Sequence, residues 1–248
     1  MWGMHTRVSL AADLEALDVE VGDVLFVHSS FKSLGPVEGG AAAVIGALED
    51  AVGSDGLILM PSFNLLKGGL AVRAAAWNRE TSPSMTGYLT EFFRTLPGTV
   101  RSDHFSHSVA ARGRGAAEFV AGHKGATGMR SPWDFPGYGC NFGDESPFLR
   151  AYHHPRGRVL MLGVTYESST FCHLVEVMYW NERLRERPED KYLWLDRDKL
   201  GEYWEEHGHL CRGRVGDADS RLFGIREFVD TLLGAVRVQP DRFRKQGS

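Results

Sequence analysis

The residues most able to do chemistry in this 248-residue chain are His173 and Glu176, in the run S-S-T-F-C-H-L-V-E (Ser168 to Glu176). If the chain is helical from Thr170 onward, a histidine and a glutamate three apart share one helix face. A carboxylate that near orients an imidazole, favours its proton-accepting state and stabilises the imidazolium that forms. The pair then reads as a general base. Taken alone, it reads more readily as a helix-surface ion pair or as a core histidine satisfied by a backbone carbonyl. H-x-x-E supplies two ligands, and no H-E-x-x-H or cysteine pattern completes a zinc set.

Two further segments carry reactive side chains. H-S-S-F-K-S-L-G-P-V-E-G-G (His28 to Gly40) joins an apolar run to a helix-like run, a place where backbone N–H groups and the helix dipole favour an anion. Gly35, Gly39 and Gly40 permit close backbone approach, the serines can bind phosphate and Lys32 adds a charge. It is neither a P-loop nor a dinucleotide fingerprint, and a tight strand-to-helix turn is the plain alternative. R-S-D-H-F-S-H-S (Arg101 to Ser108) is dense in histidine and serine; a polar strand is its plain alternative.

The elements that must position these groups follow from periodicity. D-V-L-F-V (Asp23–Val27), L-I-L-M (Leu57–Met60) and R-V-L-M-L-G-V (Arg158–Val164) are short apolar runs, the pattern of buried strands. With a helix over Ala41–Val52 between the first two, they predict a βαβ unit. Further helices are expected over Leu10–Leu17 (capped by Ser9 or Asp13), Gly87–Leu96, Ala116–His123, Thr170–Arg183 and Ile225–Leu233. Val100–Ala111 is expected to contain a short strand. Gly125–Gly143, rich in glycine and aromatics without a period, predicts a long irregular loop, and such loops in compact domains are often functional. The tail Gln239–Ser248 is polar and basic and is expected to fray. No repeat or linker divides the chain, so residues 1–248 read as one α/β domain, with the 125–143 loop near the acceptor site. His173 falls after the carboxyl end of a strand, where ligands bind in open α/β sheets.

Composition narrows the class. The formal charge of -4 argues against a nucleic-acid partner. No apolar run is long enough for a membrane span and the first residues lack a secretory pattern, so a cytoplasmic protein is expected. Three scattered cysteines predict neither a disulfide framework nor a zinc finger.

Seven ordered matches carry a resemblance. They are V-G-D-V-L-F-V-H-S-S-F-K-S-L-G-P-V-E-G-G, S-P-S-M-T-G-Y-L-T-E-F-F-R-T-L-P-G-T-V-R-S-D-H, S-V-A-A-R-G, D-E-S-P-F-L-R-A-Y, G-R-V-L-M-L-G-V, T-F-C-H-L-V-E and V-G-D-A-D-S-R-L-F. Over roughly Val21 to Leu233 the chain resembles the aminoglycoside 3-N-acetyltransferases, the antibiotic N-acetyltransferase family.

The resemblance implies a mixed α/β sheet of that family's own type, not the GNAT fold, and direct transfer of acetyl from acetyl-CoA to an amine without a metal. It implies that Ser29, Ser30, Phe31, Lys32, Ser33, Leu34, Gly35 and Val37 face the pantetheine and phosphates, together with His104 and Ser108. His173 and Glu176 match the catalytic T-x-L-H-x-A-E. Ser108 or a loop amide such as that of Ser33 is the expected donor to the developing oxyanion. Cys172, about 100° round the helix from His173, is an unsuited nucleophile.

The sequence departs from the family pattern at Phe105 for proline, Val175 for alanine, Cys172 for leucine, and Ser168 and Ser169 where asparagines are frequent. The expected acceptor is an aminoglycoside, held by acidic residues for which Asp134, Asp144 and Glu145 are the candidates, with Glu182 and Glu186 behind them. The alternatives are another amine, such as an amino sugar or a natural-product intermediate, or a degenerate CoA-binding protein. Trp194 and Trp204, read as exposed, leave room for a homodimer.

Overall fold

The apolar runs read as strands become the centre of one sheet in the computed structural model, which describes residues 3–246. The strands are β1 (Val24–Ser29), β2 (Leu57–Pro61), β3 (Val100–Arg101), β4 (Val109–Gly113), β5 (Gly157–Leu162), β6 (Cys211–Val215) and β7 (Ala218–Gly224). Their order is β3-β4-β2-β1-β5-β7-β6. β1 runs parallel to β2 and β5, while β4 on one side and β7 on the other pair antiparallel to this trio. The sheet is mixed, as the resemblance implied.

The helices are α1 (Arg7–Ala16), α2 (Gly40–Val52), α3 (Gly69–Ala75), α4 (Tyr88–Thr95), α5 (Ala116–Val120), α6 (Pro147–His153), α7 (Thr170–Glu186), α8 (Arg197–His207), α9 (Ile225–Val238) and α10 (Pro240–Phe243). Strand side chains alternate between two cores. Leu25 and Val27 pack with Val44, Ile45 and Leu48 of α2 and with Leu10 and Leu14 of α1. Phe26 faces the other way, into Phe148, Phe171 and Phe228, its ring 5.1 Å from that of Phe171. Each fully buried side chain of this kind stabilises the fold by about 1.5–3 kcal/mol. Among the described residues, no helix is long and apolar enough to cross a membrane.

Three local expectations change. α1 starts at Arg7 rather than Leu10, because Thr6 and Ser9 form a reciprocal capping box. Trp204 is fully buried, edge to face with Phe228, so it offers no surface for a partner. The tail is ordered as far as the described residues go. Phe243 is buried, its carbonyl accepts the Asp196 N–H at 2.7 Å, and the Lys245 N–H reaches the Trp194 carbonyl at 2.9 Å. This clamp on 194–196 bears on the site below. α3 escapes sequence reading because none of its residues is buried, leaving no apolar stripe.

Candidate active site

β1, β2 and β5 end on the same side of the sheet, and a cavity of about 430 Å³ opens there. His28 and Ser29 come from the end of β1, and Pro61 and Phe63 from the end of β2. Beyond β5 a short turn, Tyr166–Ser168, feeds α7, which supplies Ser169, Thr170 and His173. Trp133 from the 125–143 loop, Trp194, and Arg197 at the start of α8 complete one wall; Arg73 of α3 and Thr86 and Thr90 lie on the other.

His173 and Glu176 meet as the helix spacing predicts. Nδ1 of His173 lies 2.6 Å from Glu176 Oε2, with the histidine side chain 17% exposed and the glutamate 1%. The Tyr192 hydroxyl donates to the same oxygen at 2.9 Å, and the Leu195 N–H donates to Oε1 at 2.8 Å. A carboxylate only accepts, so it selects the tautomer with the proton on Nδ1 and leaves Nε2 an acceptor. Nε2 lies 3.4 Å from Arg197 Nη1, and Arg197 in turn holds Glu167 at 2.5 Å. The Trp133 ring stands 4.8 Å from the imidazole, edge to face. Burial first, then the Glu176 charge, pushes the Tyr192 phenol far up, so it stays a donor.

His28 is a second organiser. Burial depresses it to about 3, so it is neutral, and Nε2 accepts the Thr170 N–H at 3.4 Å. The end of β1 is thereby tied to the start of α7. Cys172 is fully buried, and burial pushes its thiol strongly up, which removes it as a nucleophile.

Of the loop residues expected to meet coenzyme, Ser29 lines the cavity; Ser30, Phe31, Lys32, Ser33, Gly35 and Val37 lie outside its wall. Ser33 Oγ donates to Ser30 Oγ at 2.9 Å, and Phe31 packs on Tyr88 at 5.2 Å. Leu34 is a correction: its side chain is fully buried in the core under α1 and α2 and cannot face a ligand. Gly35, at φ 77°, sits against the Asp217 carboxylate, where a Cβ would collide. That contact, rather than approach to a ligand, requires glycine there.

The serine-histidine segment is corrected more heavily. His104 is fully buried, stacked 4.7 Å from His123, with Nδ1 accepting the Ser106 N–H. The Ser108 hydroxyl is fully buried, donates to the Ser62 carbonyl and receives Arg101 Nε at 3.0 Å, so it is not available to an oxyanion. His107 is the histidine that reaches the cavity. Arg101, whose guanidinium burial lowers to about 9, is held by the Ser62 and Ser82 carbonyls.

None of the three expected acidic acceptor residues lines the cavity. Asp134 is used inside its own loop, accepting from Ser131 and from the Asn141 N–H. Asp144 lies near Val24 and Leu57, at the opposite ends of β1 and β2. Glu145 pairs with Arg150 at 2.6 Å, and Glu182 with Arg237. The carboxylate that does line the cavity beside His173 is Glu167, which the sequence reading passed over although it adjoins the H-x-x-E run. Tyr192 and Leu195 were missed for another reason: a phenol and a backbone amide 16 and 19 residues beyond Glu176 have no pattern to read. No group of three or more His, Cys, Asp or Glu placed to hold a metal is found among the described residues.

A cavity at parallel strand ends, with an imidazole fixed as acceptor by a buried carboxylate, is the arrangement of an α/β acyltransferase that takes a proton from its acceptor. The family model for aminoglycoside 3-N-acetyltransferases matches residues 26–135 and 137–235, and the chain belongs to that family. It is 31% identical to the prophage-derived aminoglycoside N(3')-acetyltransferase-like protein YokD of Bacillus subtilis (strain 168), over 91% of this chain and 90% of the relative. The fold superposes on the aminoglycoside acetyltransferase AAC(3)-IVa with a TM-score of 0.78 at 27% identity, covering 100% of this chain and 94% of the other. It superposes on AAC-IIIb, solved as a binary complex with CoASH, with a TM-score of 0.75 at 25% identity, covering 99% and 100% of the two chains.

Proposed function

We propose that this protein transfers acetyl from acetyl-CoA to an amino group of an aminoglycoside, at the 3-N position by family resemblance, with His173 as general base. The carrying observation is the 2.6 Å contact between His173 Nδ1 and a glutamate held by two further donors. An alkyl amine is mostly protonated near pH 7 and cannot attack a thioester until it loses a proton. Nε2 of His173, facing the cavity, takes that proton, and Glu176 stabilises the imidazolium; such a base contributes about 10²–10⁴-fold. The neutral nitrogen attacks the carbonyl carbon and gives up its second proton to solvent as the C–N bond forms. The C–S bond then breaks to release CoA thiolate, which recovers the first proton from His173, so each turnover releases one proton. No acyl-enzyme is needed. Acetyl-CoA is a metabolite of the cytoplasm, which supports that setting.

A second acceptor reading has one specific observation behind it. Arg73 and Arg197 line the cavity against Glu167 alone, a poor complement to a polycation and a better one to a less cationic amine. A thiol-release assay with acetyl-CoA against aminoglycosides, amino sugars and simple amines separates the two, with the acetylated nitrogen located by NMR. The first reading expects release with aminoglycosides bearing a free 3-amino group. Release with other amines alone supports the second, and none with any acceptor overturns both.

A further inference from the structure

With Ser108 committed elsewhere, the acetyl-transfer reading lacks a donor for the oxygen of the tetrahedral intermediate. That oxygen gains a full negative charge when the amine adds to the thioester carbon. A site that stabilises it supplies a large part of the rate in acyl transfer.

α7 offers such a site. It is 17 residues long, and the residue at its N-cap is Ser169. A serine there ordinarily turns its hydroxyl onto a first-turn amide, but Ser169 makes no such cap. The residue is fully buried and lines the cavity, and its Oγ has no hydrogen-bond partner. Its polar neighbour is the buried Cys172 thiol, a weak acceptor. An unsatisfied buried hydroxyl costs about 1–3 kcal/mol and in a native structure calls for an explanation.

Position supplies it. Ser169 and His173 are i and i+4, so they lie on one face about one turn apart, with Cβ atoms about 5–6 Å from each other. Both line the same cavity. The first-turn amides of α7 point out of its N-terminus, where the helix dipole also favours negative charge. Thr170 N–H is held loosely by His28 at 3.4 Å.

We infer that Ser169, with the N-terminus of α7, binds the thioester carbonyl oxygen and stabilises the oxyanion, so that one helix carries both the base and the oxyanion donors. As the amine nitrogen bonds to the carbonyl carbon, the π pair moves to the oxygen, which accepts the Ser169 hydroxyl hydrogen bond. When the C–S bond breaks, the pair returns and the donor is released unchanged. No proton leaves Ser169. Ser29, whose buried hydroxyl is likewise unpartnered and also lines this cavity, stands at the end of β1 and is assigned to the pantetheine.

This rests on the acetyl-transfer reading, and steady-state kinetics with acetyl-CoA and whichever acceptor supports wild-type thiol release keeps the two apart. Ser169→Ala should lower kcat about 10²–10³-fold. The acetyl-CoA Kd, measured by calorimetry, should stay within about twofold, and Tm should be equal or higher, since no cap is lost. The loss should be the same for every acceptor, because the oxygen belongs to acetyl-CoA. Ser169→Thr, which keeps the hydroxyl, should recover most of the rate. Ser29→Ala should instead raise KM for acetyl-CoA with kcat nearly intact. A Ser169→Ala enzyme of wild-type kcat, or one whose loss follows a lowered Tm and a weakened Kd, overturns the inference and leaves the base assignment standing. No thiol release by the wild type overturns both.

Discussion

Glu176 Oε2 lies 2.6 Å from His173 Nδ1, and the same carboxylate is gripped from its far side by the Leu195 N–H at 2.8 Å. The imidazole is thus oriented by a group that is itself held in place, and its other nitrogen, 3.4 Å from Arg197 Nη1, is left as the proton acceptor.

Replacing Glu176 with glutamine tests the tautomer. An amide N–H turned toward Nδ1 makes that nitrogen an acceptor and puts the proton on Nε2, which can no longer act as a base. kcat should fall by on the order of 10³–10⁴, the scale of a wrong-tautomer defect in a serine-hydrolase triad. Acetyl-CoA affinity should be unchanged. Thiol-release kinetics beside calorimetric binding read both.

The support of the carboxylate can be loosened by degrees. Tyr192→Phe removes a hydrogen bond to a buried charge, worth about 1.5–3 kcal/mol. It should lower Tm and cost kcat roughly tenfold, a milder loss than in the glutamine variant.

The tail reaches the site through backbone. Phe243 and Lys245 bond to 194–196, and Leu195 presents its N–H to Glu176. Removing residues 240–248 should therefore reduce kcat several-fold and lower Tm, whereas a frayed tail would be dispensable. Circular dichroism melts and steady-state rates of the truncated chain check this.

How far the sequence revealed the site follows from the same residues. The apolar strands and the i, i+3 pair were legible because burial and helical periodicity leave a local pattern. Trp133 was half legible, since its irregular loop stood out without showing where it folds. His104 and Ser108 misled through the family match, since the dense polar segment taken alone had a polar strand as its plain reading. Here it is a buried network around Arg101 and His123. Asp134, Asp144 and Glu145 misled because charge in sequence carries no direction; strand polarity sends Asp144 to the wrong end of the sheet. Tyr192 and Leu195 are tertiary contacts and had no local signal.

The buried imidazoles carry a pH signature. His28 and His123 are depressed to about 3 and about 4, and His104 and His107 lie well below their usual value, each chiefly through burial. In the unfolded chain these imidazoles take protons near pH 6.5, roughly their ordinary value. The unfolded state therefore binds more protons below that pH, and stability falls as pH drops from about 6.5 toward 4. Each histidine contributes up to about 1.4 kcal/mol per pH unit. Above pH 6.5 the contribution is complete. Urea midpoints should decline steeply between pH 6.5 and 5 and be flat from 7 to 8.

His173→Ala, assayed for acetyl-CoA turnover and for acetyl-CoA binding in the same preparation, tests the central claim most directly. Loss of about 10²–10⁴-fold in kcat, with Kd and Tm near wild type, is the predicted result. Turnover retained at the wild-type level, at any pH between 6 and 9, would contradict it.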